Sequence, residues 1–113
     1  MDYEEARIRA ETLKALANPI RILLVNELAS GDKCVCDLAK VADVDLSNIS
    51  RHLAILKRAG IVSERRNGLL VIHHLETPCI LKAFDCAVEV LKSQAKKNRR
   101  ILKTMRSLPA AQY

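Results

Sequence analysis

Cys34 and Cys36 flank a single valine, and two soft thiols this close can serve as a ligand pair for a thiophilic ion or as a redox couple. Both reactions need the thiolate. Residues two apart on a regular helix point about 200° away from each other, so a pair inside an intact helix cannot grip one ion. If Cys34 is the non-helical cap of the next helix, or if that helix's first turn unwinds, the two sulfurs can converge. The unpaired amides and the dipole of a helix N-terminus then favour the ionised form. The competing reading makes both residues small buried hydrophobes, but at this spacing they cannot easily both face the core.

Cys79 and Cys86 form a second pair, seven residues apart on one helix face and separated by a rise of about 10.5 Å. They cannot share an ion unaided. Packing in a core or a dimer seam suits both, and Cys79 could supply a third thiolate to Cys34 and Cys36 if the fold or a second subunit brings it close. His73 and His74 are adjacent on an extended run and must point to opposite faces, so one packs inward and a shared metal is disfavoured.

The elements that must position these groups are helical. Residues 4 to 16 carry Ala6, Ile8, Ala10, Leu13 and Leu16 at loose helical spacing. Asn18-Pro19 supplies a cap and a first-turn proline for a second helix through Ile20, Leu23, Leu24 and Leu28, which Gly31 stops. After the polar break from Ser30 to Lys33, a short third helix begins near Cys34 or Val35 and runs to Ala42. Asp45 then caps a fourth helix, with Val44 and Ile49 at staple positions and Gly60 as its left-handed stop.

A buried stripe of Leu46, Ile49, Leu53 and Leu56 on that fourth helix turns Ser47, Asn48, Ser50, Arg51, Ala54, Lys57 and Arg58 outward. This face is rich in donors and free of acid, and two helices joined by the tight link Asp43-Val44 match a helix-turn-helix whose second helix enters the major groove. His52, at the edge of that face, is a packing residue or a further DNA contact. The runs 61 to 66 and 69 to 75 surround Asn67-Gly68, which predicts a two-residue type I′ hairpin pairing Arg66 with Leu69 and Arg65 with Leu70. Both arginines then sit at the tip of a wing, within reach of phosphate or a narrow minor groove.

Thr77-Pro78 opens a long last helix, with Thr77 as its cap and Ile80, Leu81, Phe84, Val88, Leu91 and Ala95 spaced for burial. So long a helix exceeds what a small core can cover, which predicts pairing with a second subunit. The fold expected is mainly α with a small β-hairpin: a single winged helix-turn-helix domain over 1–113. Its helix-turn-helix spans about 35–59, its wing about 61–75 and its C-terminal dimerisation helix about 78–107, with helical dimerisation elements at both ends.

Composition agrees with that class. The chain has 113 residues, of which 19 are Lys or Arg and 13 Asp or Glu, for a net charge of +6 that favours polyanionic partners. Seven basic residues and no acidic one lie between Lys92 and Arg106. One Phe, two Tyr and no Trp leave little for stacking single-stranded RNA bases. No leader and no apolar run of about 18 residues is present, so a cytoplasmic location without membrane contact is expected, with the four cysteines reduced.

The order of elements, together with Leu16-Ala17-Asn18-Pro19-Ile20-Arg21, Ile49-Ser50-Arg51-His52-Leu53 and Leu56-Lys57-Arg58-Ala59-Gly60-Ile61-Val62, resembles the ArsR/SmtB family of dimeric winged-helix repressors over residues of about 8 to 92. Cys34-Val35-Cys36-Asp37-Leu38 is similar to that family's arsenic-sensing signature, in which thiols at the start of the third helix bind trivalent arsenic or antimony and release the operator. The signature's third cysteine is replaced here by Ala39. The family's zinc-type site on the last helix needs Asp, His and Glu, and residues 77 to 107 contain no histidine.

The resemblance implies a homodimeric repressor of a metal- or metalloid-responsive operon that binds double-stranded operator DNA, and the outward helix face and the wing tip assign that contact to Ser47, Asn48, Ser50, Arg51, His52, Lys57, Arg65 and Arg66. It would be released when As(III), Sb(III) or another thiophilic ion occupies Cys34 and Cys36, and it would hold no permanent cofactor. The alternative on the same fold is a thiol-based sensor of oxidants or sulfur species. An enzyme is disfavoured, because Cys-Val-Cys lies between helices rather than in a strand-helix-strand redox setting, and no phosphate loop or carboxylate pair is evident.

Overall fold

A computed structural model of the chain describes residues 1–95. The chain divides into two compact units, Met1–Thr77 and a second that begins at Pro78. The first contains four helices and a three-stranded sheet: α1 (Tyr3–Leu16), α2 (Pro19–Leu28), β1 (Lys33–Cys34), α3 (Val35–Ala42), α4 (Leu46–Arg58), β2 (Val62–Asn67) and β3 (Leu70–Leu75). The second holds α5 (Ile80–Ala95). Its expected continuation to 107 and the basic run beyond 95 lie outside the described residues.

Helix ends follow local chemistry. Asp2 caps α1 in a reciprocal box with Glu5, each side chain accepting from the other's backbone amide. Asn18 Oδ1 accepts from the amides of Ile20 and Arg21, and Pro19 fills the first position of α2, where its missing N–H costs nothing. At the end of α4 the Gly60 amide donates to the Lys57 carbonyl and the Ile61 amide to that of Leu56, with Gly60 at φ +79°. Buried Leu56 and Ile61 supply the apolar contact that accompanies this left-handed stop. Between α3 and α4 the turn is made by Asp43 at φ 53°, a conformation that Asp tolerates better than most residues.

The core of the first unit is formed by Leu24, Val25 and Leu28 of α2, Leu38 of α3, Ile49, Leu53 and Leu56 of α4, and Ile61, Val62 and Leu75 around the sheet. One member of the expected α4 stripe is outside it. Leu46 is 52% exposed, because it occupies the first helical turn before α4 passes beneath α2 and α3. On α1 only Ala15 and Leu16 are buried, while Ile8 and Leu13 remain more than half exposed.

The sheet corrects the expected hairpin twice. Its order is β1-β3-β2, so a third strand, Lys33–Cys34, pairs antiparallel with His73 and Ile72. The β2–β3 register sets Asn67 opposite Leu70, Arg66 opposite Val71 and Arg65 opposite Ile72, so the loop is Gly68-Leu69 rather than Asn67-Gly68. Gly68 holds φ +65° at the first loop position, whereas neither Asn67 nor Leu69 adopts positive φ, which a type I′ turn at either pair would require. The observed register places the buried side chains Val62 and Leu75 opposite each other, and that apolar cross-strand pair outweighs the local Asn-Gly preference.

The last helix begins later than its cap signal implies. Pro78 and Cys79 form a turn whose carbonyls accept from the Leu81 and Lys82 amides, and the helix starts at Ile80. Thr77 Oγ1 has no hydrogen-bond partner among the described residues, so it does not act as the cap.

Candidate nucleic-acid interface and thiol site

The outward face of α4 begins at its cap. Asp45 Oδ1 accepts from the Asn48 amide at 2.7 Å and from the Ser47 hydroxyl at 2.9 Å, which holds its carboxyl below the usual range. Ser47 thus spends its proton on the cap and keeps acceptor capacity. Asn48 Oδ1 accepts from the Arg51 guanidinium, which orients both side chains along the helix. Ser47, Ser50, Arg51, Ala54, Lys57 and Arg58 are exposed, and Asn48 and His52 half-buried.

The surroundings of this face are less uniformly basic than the helix alone. Lys57 Nζ lies 2.7 Å from Glu64 Oε1 on β2, tying the outward face of α4 to the sheet, and this bond is the main reason the Glu64 carboxyl titrates low. His52 Nδ1 lies 3.1 Å from Arg21 Nη1, and Arg21 Nε also donates to the Ala15 carbonyl at 2.5 Å. Burial lowers the His52 pKa, and the nearby Arg21 and Arg51 charges push the same way.

In the wing, Arg65 is withdrawn from the tip. It stands opposite Ile72 and pairs with Asp32 at 2.5 Å, while Asp32 also meets His74 Nδ1 at 2.7 Å. Those two contacts, the histidine's first, hold the Asp32 carboxyl below its ordinary range. Asp32 therefore fastens the turn before β1 to both β2 and β3. Arg66 is exposed and forms no ion pair among the described residues, and the loop residue Leu69 is fully exposed. His73 is the inward member of its pair, 96% buried, with Nε2 3.5 Å from Glu64. Burial lowers its pKa, and the Glu64 charge opposes that only in part.

The thiol pair sits where two structures meet. Cys34 is the last residue of β1, paired with Ile72, and also the extended N-cap of α3 at φ −84°, ψ 167°. Its side chain makes no cap to the backbone; instead Sγ donates to Asp37 Oδ2 at 3.3 Å. Cys36 lies one turn-start later and is exposed, so the pair straddles the junction instead of sharing a regular helix. Among the described residues no three His, Cys, Asp or Glu side chains converge on one point. Cys79 lies in the turn before α5 and Cys86 within α5, both as free thiols of the second unit.

Arg21, Asp32 and Glu64 escape a local reading of the sequence. Asp32 meets a partner 42 positions away, and Arg21 one 31 positions away, separations that leave no periodic trace. Arg21 did fall within the family-like phrase from Leu16 to Arg21, although that phrase assigns it no partner.

Two short helices with a tight left-handed turn, the second exposing a donor-rich face beside a small sheet, define a winged helix-turn-helix DNA-binding protein. Residues 18–64 match the bacterial regulatory proteins of the arsR family. An uncharacterized HTH-type transcriptional regulator of Mycobacterium tuberculosis, Rv0081, is 34% identical over 103 residues, covering 89% of this chain and 90% of its own. Its crystal structure superposes with a TM-score of 0.71 at 31% identity, covering 85% of this chain and 97% of that one. The cadmium resistance transcriptional regulatory protein CadC of Listeria innocua is 33% identical over 66% of this chain and 64% of its own. A homodimeric winged helix-turn-helix DNA-binding domain from Mycobacterium bovis, solved by NMR, has a TM-score of 0.68 at 25% identity, covering 87% of this chain and 94% of that one.

The chain belongs to the ArsR/SmtB family of helix-turn-helix transcriptional regulators. It is a regulator and not an enzyme, and among the described residues no helix is long and apolar enough to cross a membrane.

Proposed function

We propose that this chain is a homodimeric repressor that binds a pseudo-palindromic operator through α4 and the wing, and leaves it when a thiophilic ion such as arsenite or antimonite binds Cys34 and Cys36. The observation that carries the reading is the double role of Cys34 as the end of β1 and the cap of α3. An ion held by its sulfur and that of Cys36 would act on the first turn of α3, which packs against α4, and on the residue that ends the pairing of β1 with the wing strand β3. The relative from Listeria innocua, a cadmium resistance regulator, supports a thiophilic effector. The exposed Ile8 and Leu13 of α1, and the homodimeric relative from Mycobacterium bovis, support assembly through helices. Ser47, Asn48, Ser50, Arg51, His52 and Lys57 would face the major groove, and Arg66 the flanking backbone, with Arg65 held by Asp32.

A coupling of about 1 to 3 kcal/mol between thiol site and operator would loosen binding roughly 5- to 150-fold. The test is operator binding at fixed salt under reducing conditions, titrated with arsenite, antimonite, cadmium, lead and zinc, for the unmodified chain and for Cys34→Ser and Cys36→Ser. Release by one of these ions that is lost in both serine variants is expected. Undiminished release in both variants would exclude the pair as the sensor. Release by peroxide or persulfide in place of any ion would favour thiol oxidation on the same fold.

A further inference from the structure

Arg21 touches three elements. Its amide belongs to the capped first turn of α2, its Nε donates to the Ala15 carbonyl at the end of α1, and its Nη1 approaches His52 Nδ1 on α4. The last contact is chemically one-sided. A guanidinium has five N–H donors and no acceptor, so at 3.1 Å the imidazole nitrogen must be the acceptor. An Nδ1 that carries a lone pair leaves the single ring proton on Nε2.

Protonating Nδ1 would set an N–H against an N–H beside a permanent cation. Two further observations agree with this assignment. Burial and the charges of Arg21, on α2, and Arg51, on α4 itself, all act against the imidazolium. Nε2 has no hydrogen-bond partner among the described residues and is not among the buried unpaired atoms, so its N–H is open to solvent on the half-buried His52.

We propose that Arg21 is a positioning residue of the DNA-reading surface: it locks His52 into the neutral Nε2–H tautomer, so that α4 offers a hydrogen-bond donor and never an acceptor at this position. The inference rests on α4 being the reading helix. A donor of this kind fits a phosphate oxygen, a purine N7 or guanine O6, and is repelled by the exocyclic amino groups of adenine and cytosine. It adds no charge to the interface, so its contribution is independent of counterion release. Arg21, although basic and close to α4, acts from behind the imidazole and not on the DNA.

The decisive measurement is nitrogen-15 NMR of the His52 ring in the labelled full chain at neutral pH. A lone-pair Nδ1 and a protonated Nε2 are expected, retained in Arg21→Lys and replaced by a tautomer mixture in Arg21→Leu. A protonated Nδ1 in the unmodified chain overturns the proposal. Binding supplies the second arm, using a duplex selected by the unmodified chain from a random-sequence pool. His52→Gln, whose amide nitrogen can stand near Nε2, should bind within about threefold of the unmodified chain. His52→Asn and His52→Leu should lose about tenfold, all with unchanged salt slope. Rescue by His52→Asn in place of His52→Gln would overturn the donor assignment.

Arg21→Leu should weaken binding with the salt slope intact. A slope reduced by about one would mean that Arg21 itself neutralises a phosphate and would overturn the positioning role. Substituting 7-deazapurines or methylphosphonates in the selected duplex then separates a base acceptor from a backbone oxygen. If the pool yields no preferred duplex, the reading of α4 fails, while the ring-nitrogen spectrum still decides the tautomer.

Discussion

Leu46 and Leu53 belong to the same helical stripe by spacing, and replacing each with alanine should have very different costs. Leu53 is 97% buried between α4 and the rest of the core, and truncation removes three carbons, each contributing about 0.8 kcal/mol of transfer free energy. That is about 2.4 kcal/mol, and the unfilled cavity raises the expected loss to about 3 to 4 kcal/mol. Leu46 is 52% exposed, so no more than about half of the transfer energy is at stake and solvent fills the space, giving a loss of about 1 kcal/mol or less. Urea unfolding followed by circular dichroism gives the difference directly as a shift in midpoint at constant slope, and heat unfolding should separate the two variants by roughly 8 °C or more. The measurement should be made at several protein concentrations, because subunit association adds a mass-action term. Equal losses in the two variants, within about 0.5 kcal/mol, would refute the placement of Leu46 outside the core.

Acid should destabilise the fold in two stages. The pKa values of His52 and His73 are lowered in the folded chain, so their stabilising effect is full above the unfolded value of about 6.5 and is lost as pH falls through the folded values. The depressed carboxyls of Asp32, Asp45 and Glu64 contribute above their unfolded pKa values, near 4, and that stability disappears as pH falls further. Urea midpoints from pH 8 to pH 3 should show both slopes, and a flat profile between pH 7 and 5 would contradict the histidine assignment. Asp32→Asn should leave global unfolding nearly unchanged but speed hydrogen exchange in β1 and at the neighbouring amides of β3, since it severs the links to Arg65 and His74. Gly68→Ala should cost about 1 to 2 kcal/mol by forcing a side chain onto φ +65°, measured by urea unfolding, whereas Asn67→Ala, at ordinary φ, should cost less.

The readable parts of the fold were those whose cause is local. Asn18, Asp45 and Gly60 each act on atoms within about one turn, so their residue types announce the helix ends they create. Cys34 at a helix mouth was legible for the same reason, and alternation made one of the two histidines face inward without telling which. The hairpin register was decided instead by the meeting of Val62 with Leu75, a contact across 13 residues that overrode the strongest local turn signal. A strand of only two residues, Lys33–Cys34, carries no periodicity at all and exists because β3 has a free edge for it. Arg65 reads as a wing-tip cation until Asp32 is brought beside it from a turn that looks like a polar break.

The sheet order also bears on how copies of this protein avoid one another. With β3 in the centre, one edge is a two-residue strand too short to template pairing, and the other presents Glu64, Arg65 and Arg66 in succession. An incoming strand would have to align beside three consecutive charged residues, so edge-to-edge aggregation is discouraged at both margins. A small exposed β-sheet thus offers neither margin as a template for a strand of another copy.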